Sequence, residues 1–510
     1  MIDVLFVNPN AAEIIYQNLS KKFSAIEVPV WSLLLAQSCR SKGFSVDILD
    51  CDAERLTDQE SIDRIKYINP RFVCFVVYGQ NPNSGTTTMA GAISLCTKLK
   101  QQSDIRTCFV GSHTSALPKE VLAVESIDFI LQNEGVYSLH NLLNVRHQSD
   151  LHKIRGIGFK EDDQLILTDP EKIVPQDRMD IDLPGYAWDL LPFKNKPLDL
   201  YRSHFWHANF DHNKRTPFAA IYTSLGCRFK CQFCMINILN RTNNKDGITA
   251  ADSNIMRFWS PDFIIREFDK LAKYGVETIR ISDEMFFLDK RYFEPLLQKI
   301  IERQYKFHMW TYSRVDTVRK NHLEMFEKAG VKWLALGVEA ANTKIRKEIT
   351  KGTYEEIDIR EVIKSVRDHG INVIANYIYG LPNDNYDTMK ETFNLSVELN
   401  TEMKNCYCCM GLPGSPLYYQ AKQNNWSLPQ EFSAWSFLSY DCLPLPTKYL
   451  TAAEVLKFRD EAWQKYFTRP EYLDLVESKF GLEQRNNVIE MSQIQLKRKL
   501  FDDPSYGTII

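Results

Sequence analysis

The chain has 510 residues, long enough for two or three domains, and its 44% hydrophobic and 25% charged content is typical of a globular protein. A formal net charge of −3 gives no sign of a nucleic-acid-binding surface or a polybasic membrane patch. The start of the chain lacks the basic and apolar segments of a signal peptide, and no stretch approaches the ~20 apolar residues of a membrane span. Most cysteines stand singly in apolar runs, as Cys74 does, which is typical of reduced, buried thiols. We therefore predict a multidomain cytoplasmic protein that has no membrane span and binds no nucleic acid.

Residues 1–150 alternate short apolar runs with amphipathic segments of helical length. Predicted strands lie at 4–7, 46–49, 72–77, 107–110 and 129–131, and the clearest predicted helices at 30–42 and 87–100. This alternation predicts a doubly wound, Rossmann-like parallel sheet, which binds ligands at the carboxyl ends of its strands. No G-x-G-x-x-G follows the first strand, so a dinucleotide is not the expected ligand.

Residues 151–210 are predicted to be a linker between two domains. The runs 154–159 and 165–167 can pair as a hairpin, and the stretch 170–197 is rich in proline and aspartate. His204 and His207 stand near the end of this linker, just before a group of cysteines.

Three cysteines, Cys227, Cys231 and Cys234, follow the apolar run 219–223 at a C-x₃-C-x₂-C spacing. Thiolates this close in sequence can converge on one soft metal centre, and three of them leave a fourth coordination position open. Zinc, with His204 as a further ligand, is the main alternative to iron–sulfur. Zinc sites, however, usually join two close cysteines to a second close pair.

Residues 211–420 again alternate strands and helices. Predicted strands lie at 219–223, 278–282, 307–311, 333–337, 372–379 and 405–409, which predicts a partial (β/α)₆ TIM-like barrel with its chemistry at the carboxyl ends of the strands. The last strand carries Cys406, Cys408 and Cys409, and its alternation points Cys409 away from the other two, so we interpret them as core or substrate-facing thiols. Residues 421–510 are predicted to form a mostly helical C-terminal domain, packed at the open end of the barrel.

The cysteine motif and the strand ends after it resemble the radical SAM (S-adenosylmethionine) superfamily over roughly residues 215–420. The resemblance implies that the three cysteines bind a 4Fe–4S cluster, whose fourth iron is chelated by S-adenosylmethionine. It also implies a set of residues that contact S-adenosylmethionine. These are Phe233, Ser282, Asp283, Glu284, Arg314, Gly337 and Glu339.

The N-terminal region resembles the cobalamin-binding domain that precedes many radical SAM enzymes. The resemblance rests on Asn8-Pro9, on Gly111-Ser112-His113 with Pro118, and on Glu134-Gly135. The cobalamin contacts that it implies are Asn8, Gln80, Gly111, Ser112, His113, Ser115, Glu134 and Gly135. Because no Asp-x-His-x-x-Gly segment is present, it implies that no protein histidine lies on the lower face of cobalt. His113 has an alternative interpretation as a loop histidine bonded to backbone.

Together the two resemblances imply reductive cleavage of S-adenosylmethionine to a 5′-deoxyadenosyl radical. We expect methyl transfer from methylcobalamin to an unactivated carbon, or to phosphorus, of a small-molecule substrate. A one-electron donor such as flavodoxin or ferredoxin would supply the cluster. The alternatives are a cobalamin-dependent cyclase or oxidative rearrangement enzyme, and a corrinoid- or zinc-binding module without catalysis.

Overall fold

The computed structural model of the protein describes residues 2–79, 82–193, 195–204, 217–349, 357–503 and 505–507. Its first layer is a seven-stranded sheet. The strands are β1 (Val4–Asn8), β2 (Val46–Asp50), β3 (Phe72–Val77), β4 (Arg106–Gly111), β5 (Phe129–Leu131), β6 (Ile157–Glu161) and β7 (Gln164–Leu167), in the order β2-β1-β3-β4-β5-β6-β7. The first five are parallel, as predicted. Since the order reverses between β1 and β3, the topological switch point lies at the carboxyl ends of those two strands.

Helices cover both faces of this sheet. They are α1 (Ala12–Tyr16), α2 (Val30–Ser41), α3 (Asp58–Ile68), α4 (Gly85–Lys100), α5 (Ser112–Ala116), α6 (Pro118–Ala123) and α7 (Val136–Leu143). Two buried apolar clusters lie on the opposite faces of the sheet, because successive strand side chains point to opposite sides. The Rossmann-like prediction for this region is confirmed.

The predicted hairpin forms, and it belongs to the first sheet. Strands β6 and β7 pair antiparallel, and β6 also pairs antiparallel with β5. The rest of the connector contains one short helix, α8 (Met179–Asp182), and is anchored to the N-terminal region by Tyr201, whose hydroxyl donates to Asp50 at 2.7 Å. His207 lies outside the described residues.

The second large sheet is the predicted partial barrel. Its strands are β8 (Phe218–Ile221), β11 (Thr278–Ile281), β12 (His308–Arg314), β13 (Val331–Glu339), β14 (Asn372–Tyr379) and β15 (Met403–Cys408), all parallel and paired in chain order. Its helices are α9 (Pro261–Lys273), α10 (Lys290–Arg303), α11 (Lys320–Lys328), α12 (Thr343–Glu348), α13 (Ile359–Asp368), α14 (Tyr386–Leu399) and α15 (Pro416–Gln423). A two-stranded antiparallel sheet, β9 (Ser224–Gly226) with β10 (Met256–Phe258), was not predicted.

The C-terminal region is mostly helical, as predicted, with α16 (Ala452–Phe467), α17 (Pro470–Phe480), α18 (Leu482–Gln493) and α19 (Lys499–Asp502). Thr451 caps α16 with Glu454 in a reciprocal capping box. Helix α16 packs over β15, and Phe467 and Met491 join a buried cluster with the barrel tryptophans. None of the helices in the described part of the chain is long and apolar enough to span a bilayer.

Candidate active site

The three cysteines line one cavity, of about 350 Å³, at the carboxyl ends of the barrel strands. Their loop starts at Gly226, which has a φ of +88°. A Cβ at this position would lie 2.1 Å from the Ile255 carbonyl oxygen, so only glycine fits. Asn237 then fixes the loop, because its Oδ1 accepts from the Cys227 N–H at 3.1 Å and its Nδ2 donates to the Cys227 carbonyl at 2.8 Å. The backbone that carries the thiols is therefore fixed by hydrogen bonds at the open end of the barrel.

None of the three thiols forms a disulfide, so each could act as a thiolate ligand of a cluster. Among the described residues, no three His, Cys, Asp or Glu side chains converge as ligands of one metal ion. Thiolates of a cubane cluster bind separate irons, so they need not converge in that way. Burial and the neighbouring Cys231 and Cys227 raise the pKa of Cys234 well above its usual range, so metal binding must displace a proton there.

Five of the residues predicted to contact S-adenosylmethionine line the same cavity. They are Phe233, Glu284, Arg314, Gly337 and Glu339. Glu339 has a φ of +66°, and the pairing register between β13 and β14 shifts between Gly337 and Glu339. A non-glycine residue in this strained conformation at a strand end is a frequent mark of a ligand site.

Glu284 is the strongest candidate for a cationic ligand group. Its carboxyl is buried and its Oε1 has no hydrogen-bond partner. Burial raises the pKa of Glu284 to about 8, against a smaller lowering effect of Arg280. A buried, underpaired carboxyl gains most from an added positive charge, and the sulfonium-bearing amino acid portion of S-adenosylmethionine supplies an ammonium group.

Arg314 is held in place before any ligand arrives. Its guanidinium donates to Asp316 Oδ1 at 2.8 Å and Oδ2 at 2.6 Å, and its centre lies 3.6 Å from the ring centroid of Phe229. The bidentate pair and the ring fix the orientation of the cation toward the cavity.

The remaining two predicted contacts, Ser282 and Asp283, do not line this cavity. Asp283 accepts from the Thr223 N–H, the Thr223 hydroxyl and the Ser224 hydroxyl, each at 2.6 Å. Ser282 Oγ accepts from Arg280 Nε at 3.1 Å. Both side chains therefore tie β11 to its surroundings instead of facing a ligand.

Most residues predicted to contact cobalamin bond to other parts of the protein. Glu134 forms a buried ion pair with Arg257 of β10, and its Oε2 also accepts from the Val174 N–H at 3.0 Å. Asn8 donates to Asp50 at 2.7 Å. Gly135 has a φ of +73° at the start of α7, and Gln80 lies outside the described residues.

The loop after β4 is also closed by protein contacts. A Cβ on Gly111 would meet the Val77 carbonyl at 2.3 Å, so close approach of β3 explains this glycine, where we had predicted a ligand contact. Ser115 Oγ donates to the Asn133 carbonyl at 3.4 Å, and the backbone carbonyl of Ser115 accepts from Arg241 at 2.9 Å. Ser112, the first residue of α5, is fully buried.

His113 is a buried, neutral imidazole. Its Nδ1 lies 3.1 Å from Thr86 Oγ1, and the edge of its ring contacts Phe432, with centroids 5.1 Å apart. Burial lowers the pKa of His113 to about 3, and its Nε2 has no hydrogen-bond partner. His113 does not line the cysteine cavity, and its imidazole contacts side chains, so it is not the backbone-bonded loop histidine of the alternative interpretation.

The N-terminal residues that reach the cysteine cavity are ones that we did not predict. Tyr16 follows β1, and Asn83, Ser84 and Thr87 follow β3, so the switch point of the first sheet opens onto the cavity. Asn83 Nδ2 donates to Cys234 Sγ at 3.7 Å, and Asn83 Oδ1 accepts from the Met235 N–H at 2.9 Å. Predicting these residues would have required the strand order, which the sequence does not reveal.

Buried polar atoms behind the switch point fit a corrinoid ligand. Behind the switch point, His113 Nε2 and Thr114 Oγ1 are buried polar atoms without partners. Buried polar groups without partners are costly, and the amide-rich edge of cobalamin provides both donors and acceptors.

Comparison with known proteins agrees with this geometry. Residues 221–396 match the radical SAM superfamily, and residues 19–143 match the B12 binding domain. The chain therefore carries both domains of a cobalamin-dependent radical SAM enzyme. Its domains imply three cofactors: a 4Fe–4S cluster, S-adenosylmethionine and cobalamin.

Individual relatives span most of the chain. An uncharacterized methyltransferase of Pyrococcus horikoshii is 22% identical over 452 residues, covering 87% of this chain and 89% of the relative. An anaerobic magnesium-protoporphyrin IX monomethyl ester cyclase of Rubrivivax gelatinosus is 24% identical over 437 residues, covering 82% and 69%. The radical S-adenosylmethionine methyltransferase TsrM from Kitasatospora setae, solved with cobalamin and a [4Fe-4S] cluster, has a TM-score of 0.63 at 14% identity, covering 96% and 99%. This last likeness is one of fold.

Proposed function

We propose that the protein transfers a methyl group from methylcobalamin to an unactivated carbon, or to phosphorus, of a small-molecule substrate. The observation that carries this proposal is the shared cavity, because residues after β1 and β3 line it together with Cys227, Cys231 and Cys234. A ligand at the switch point of the first sheet and a ligand on the cysteines would therefore face the same space.

When bound, the cluster with S-adenosylmethionine supplies a 5′-deoxyadenosyl radical, and cobalamin supplies the methyl group. The protein's own part is to hold S-adenosylmethionine in place and to exclude water and oxygen. Glu284 would hold the ammonium group of S-adenosylmethionine, Arg314 would bind its carboxylate, and Phe233 would pack beside its adenine. The buried walls exclude water and oxygen from the reacting atoms.

Two further assignments belong to this proposal. The cluster receives single electrons from a small protein donor such as flavodoxin or ferredoxin. We place the protein in the cytoplasm, and the twelve cysteines, none of which forms a disulfide, support that placement.

The proposal is tested by anaerobic reconstitution with iron, sulfide and cobalamin, followed by incubation with titanium(III) citrate as reductant and S-adenosylmethionine carrying a deuterated methyl group. We expect labelled methylcobalamin and S-adenosylhomocysteine without added substrate, and a methylated product when a library of candidate substrates is added. Cleavage of S-adenosylmethionine without any methylcobalamin would contradict the methyl-transfer assignment.

A cyclase is the second candidate, favoured by the 82% of this chain that aligns with the Rubrivivax gelatinosus cyclase. It would produce 5′-deoxyadenosine without S-adenosylhomocysteine. The ratio of these two products therefore separates the candidates in one chromatogram.

A further inference from the structure

A second and larger cavity, of about 600 Å³, adjoins the cysteine cavity. The two share lining residues that include Tyr16, Tyr312, Ala335, Tyr407 and Phe437. A molecule in the larger cavity therefore lies next to whatever the cysteines and the switch point hold. Its size is within the range of ligand pockets, and it exceeds what an amino acid would fill.

The walls come from three separated parts of the chain. The segment after β1 contributes Leu19 and Phe23, the barrel contributes Trp310 and Ile374, and the C-terminal region contributes Trp463 and Met491. These side chains are aromatic or aliphatic. The helical C-terminal region thus completes the cavity, and its sequence helps to decide what enters.

The arginine and lysine side chains of this lining already bond within the protein. Arg459 Nη1 donates to Asp460 at 2.8 Å, and Arg498 Nε donates to the same carboxylate at 2.9 Å. Lys404 Nζ donates to Ser396 Oγ at 2.8 Å and lies 4.6 Å from the ring centroid of Tyr466.

The one other lining carboxylate, among the described residues, is that of Glu461, and it pairs with Lys465 at 3.2 Å. A charged substrate group entering this cavity would lose its hydration and would have to displace bonds that the charged side chains already make within the protein, which is unfavourable. An apolar surface would be buried at a gain of about 25 cal/mol per Å². The lining therefore selects against charge and in favour of hydrocarbon.

Resting on the proposed methyl transfer, we propose that the larger cavity binds a large, uncharged, predominantly apolar substrate. The shared wall at Tyr312 and Tyr407 places the acceptor atom of this substrate toward the cysteine cavity. The rest of the molecule lies among the C-terminal helices and the segment after β1.

Binding is tested by energy transfer from tryptophan to dehydroergosterol, a neutral, rigid and apolar probe, on the reconstituted protein. Trp310 and Trp463 lie in the wall, so bound probe quenches tryptophan emission and emits in turn. We expect saturable binding with a Kd of about 10 µM or tighter. Trp463→Phe removes one of these two donors and should reduce the transfer.

Charged probes supply the contrast. Protoporphyrin IX, a dicarboxylate, and L-tryptophan, a zwitterion, should compete at least about tenfold more weakly than unlabelled ergosterol. Leu19→Glu and Ile494→Glu each place a carboxylate in a half-buried part of the wall and should weaken probe binding by about tenfold or more. The surface change Tyr67→Glu is the matched control, because Tyr67 is 92% exposed.

Tighter binding of either charged probe, or equal binding by the Leu19 and Ile494 variants, would overturn the proposal. Its failure is distinguishable from failure of the proposed function, because labelled methylcobalamin forms without substrate. A protein that forms methylcobalamin but prefers a charged probe would retain the function and lose this substrate class.

Discussion

The two parallel sheets are built from the same strand–helix repeat, yet they use their strand ends differently. In the barrel, Glu284 and Glu339 face a cavity, one with an unpartnered oxygen and the other on a strained backbone. In the first sheet, the ends of β4 and β5 are closed by contacts such as the ion pair of Glu134 with Arg257. A polar residue at a strand end is therefore a ligand candidate only where it forms no hydrogen bond or ion pair with a neighbouring element.

In the described part of the chain, the first sheet opens onto the cysteine cavity at its switch point. There Asn83 and Tyr16 reach the cavity, while Asn133 is bound on both sides of its amide to the Arg241 backbone, at 2.9 and 3.0 Å. The ends of β4 and β5 thus contact the second domain, and the ends of β1 and β3 lead to residues that line the cysteine cavity. The following predictions test this division of roles, beginning with the largest effect.

Cys231→Ala should abolish cluster binding. With two thiols left, the reconstituted protein should lose the broad visible absorption of thiolate-bound iron–sulfur and nearly all bound iron. Absorption spectra and iron analysis measure this. Cys39→Ala is the matched control, because Cys39 is a fully buried thiol in α2, away from the cavity. Retained colour in the Cys231 variant would contradict the cluster assignment.

Arg257→Ala should cost about 3–5 kcal/mol in the free energy of unfolding, because it leaves the Glu134 carboxylate buried and unpaired. Arg257 and Glu134 side chains are 6% and 3% exposed. Urea unfolding followed by circular dichroism measures the loss. The control is Arg64→Ala, which breaks an exposed pair with Glu54 and should cost less than about 1 kcal/mol. Equal costs would mean that the Glu134 contact does not dock the domains.

Glu284→Gln should change the pH dependence of stability. The pKa of Glu284 is raised from 4.5 to about 8 in the folded chain, so the folded state binds the extra proton between these values. Wild-type stability from this group is therefore present at low pH and lost as the pH rises toward 8. The stability of the glutamine variant relative to wild type should increase between pH 5 and pH 8 and then level off.

This measurement uses protein without iron or S-adenosylmethionine, unfolded by urea at each pH. Glu134→Gln serves as the contrasting variant, since its carboxylate is paired with Arg257. It should lose stability throughout the same pH range. A flat difference curve for Glu284→Gln would show that its carboxyl is ionised in the cavity.

Asn83→Ala should give the smallest effect, a lower reduction potential of the cluster. The reduced cluster is more negative than the oxidised one, so loss of the hydrogen bond from Asn83 to Cys234 favours the oxidised state. A redox titration followed by electron paramagnetic resonance measures the potential. Asn10→Ala, in the loop after β1, is the control, because Asn10 Nδ2 bonds to the Leu56 carbonyl at 3.3 Å. A higher potential would contradict the assigned bond.

The sequence was sufficient for the repeat, the fold class and the cysteine loop. Alternating apolar runs predict parallel strands whatever their order, and the short spacing of Cys227, Cys231 and Cys234 is itself local. Strands β9 and β10 have three residues each and stand outside the strand–helix repeat, so neither their pattern nor their place in the chain predicts them. They nevertheless deliver Arg257 to Glu134, a pair 123 residues apart in sequence.

The residues that line the cavity were only partly predictable. Glu284 and Arg314 follow strands of a barrel, where the active end is known from the fold. Asn83 and Tyr16 depend on the strand order β2-β1-β3, which is set by packing between distant segments. The close approach of Gly111 to β3 was not predictable, because a glycine required by backbone packing and one required by a ligand look alike in sequence.

The residues at the switch point of the first sheet and the three cysteines line one cavity, so cobalamin and the cluster should lie close together. Electron paramagnetic resonance of reconstituted protein carrying cob(II)alamin, recorded with the cluster oxidised and then reduced, tests it most directly. We predict that the reduced cluster broadens or splits the cobalamin signal, and that the signal shows no splitting from a histidine nitrogen. A cobalamin spectrum unchanged by reduction of the cluster would contradict the shared cavity.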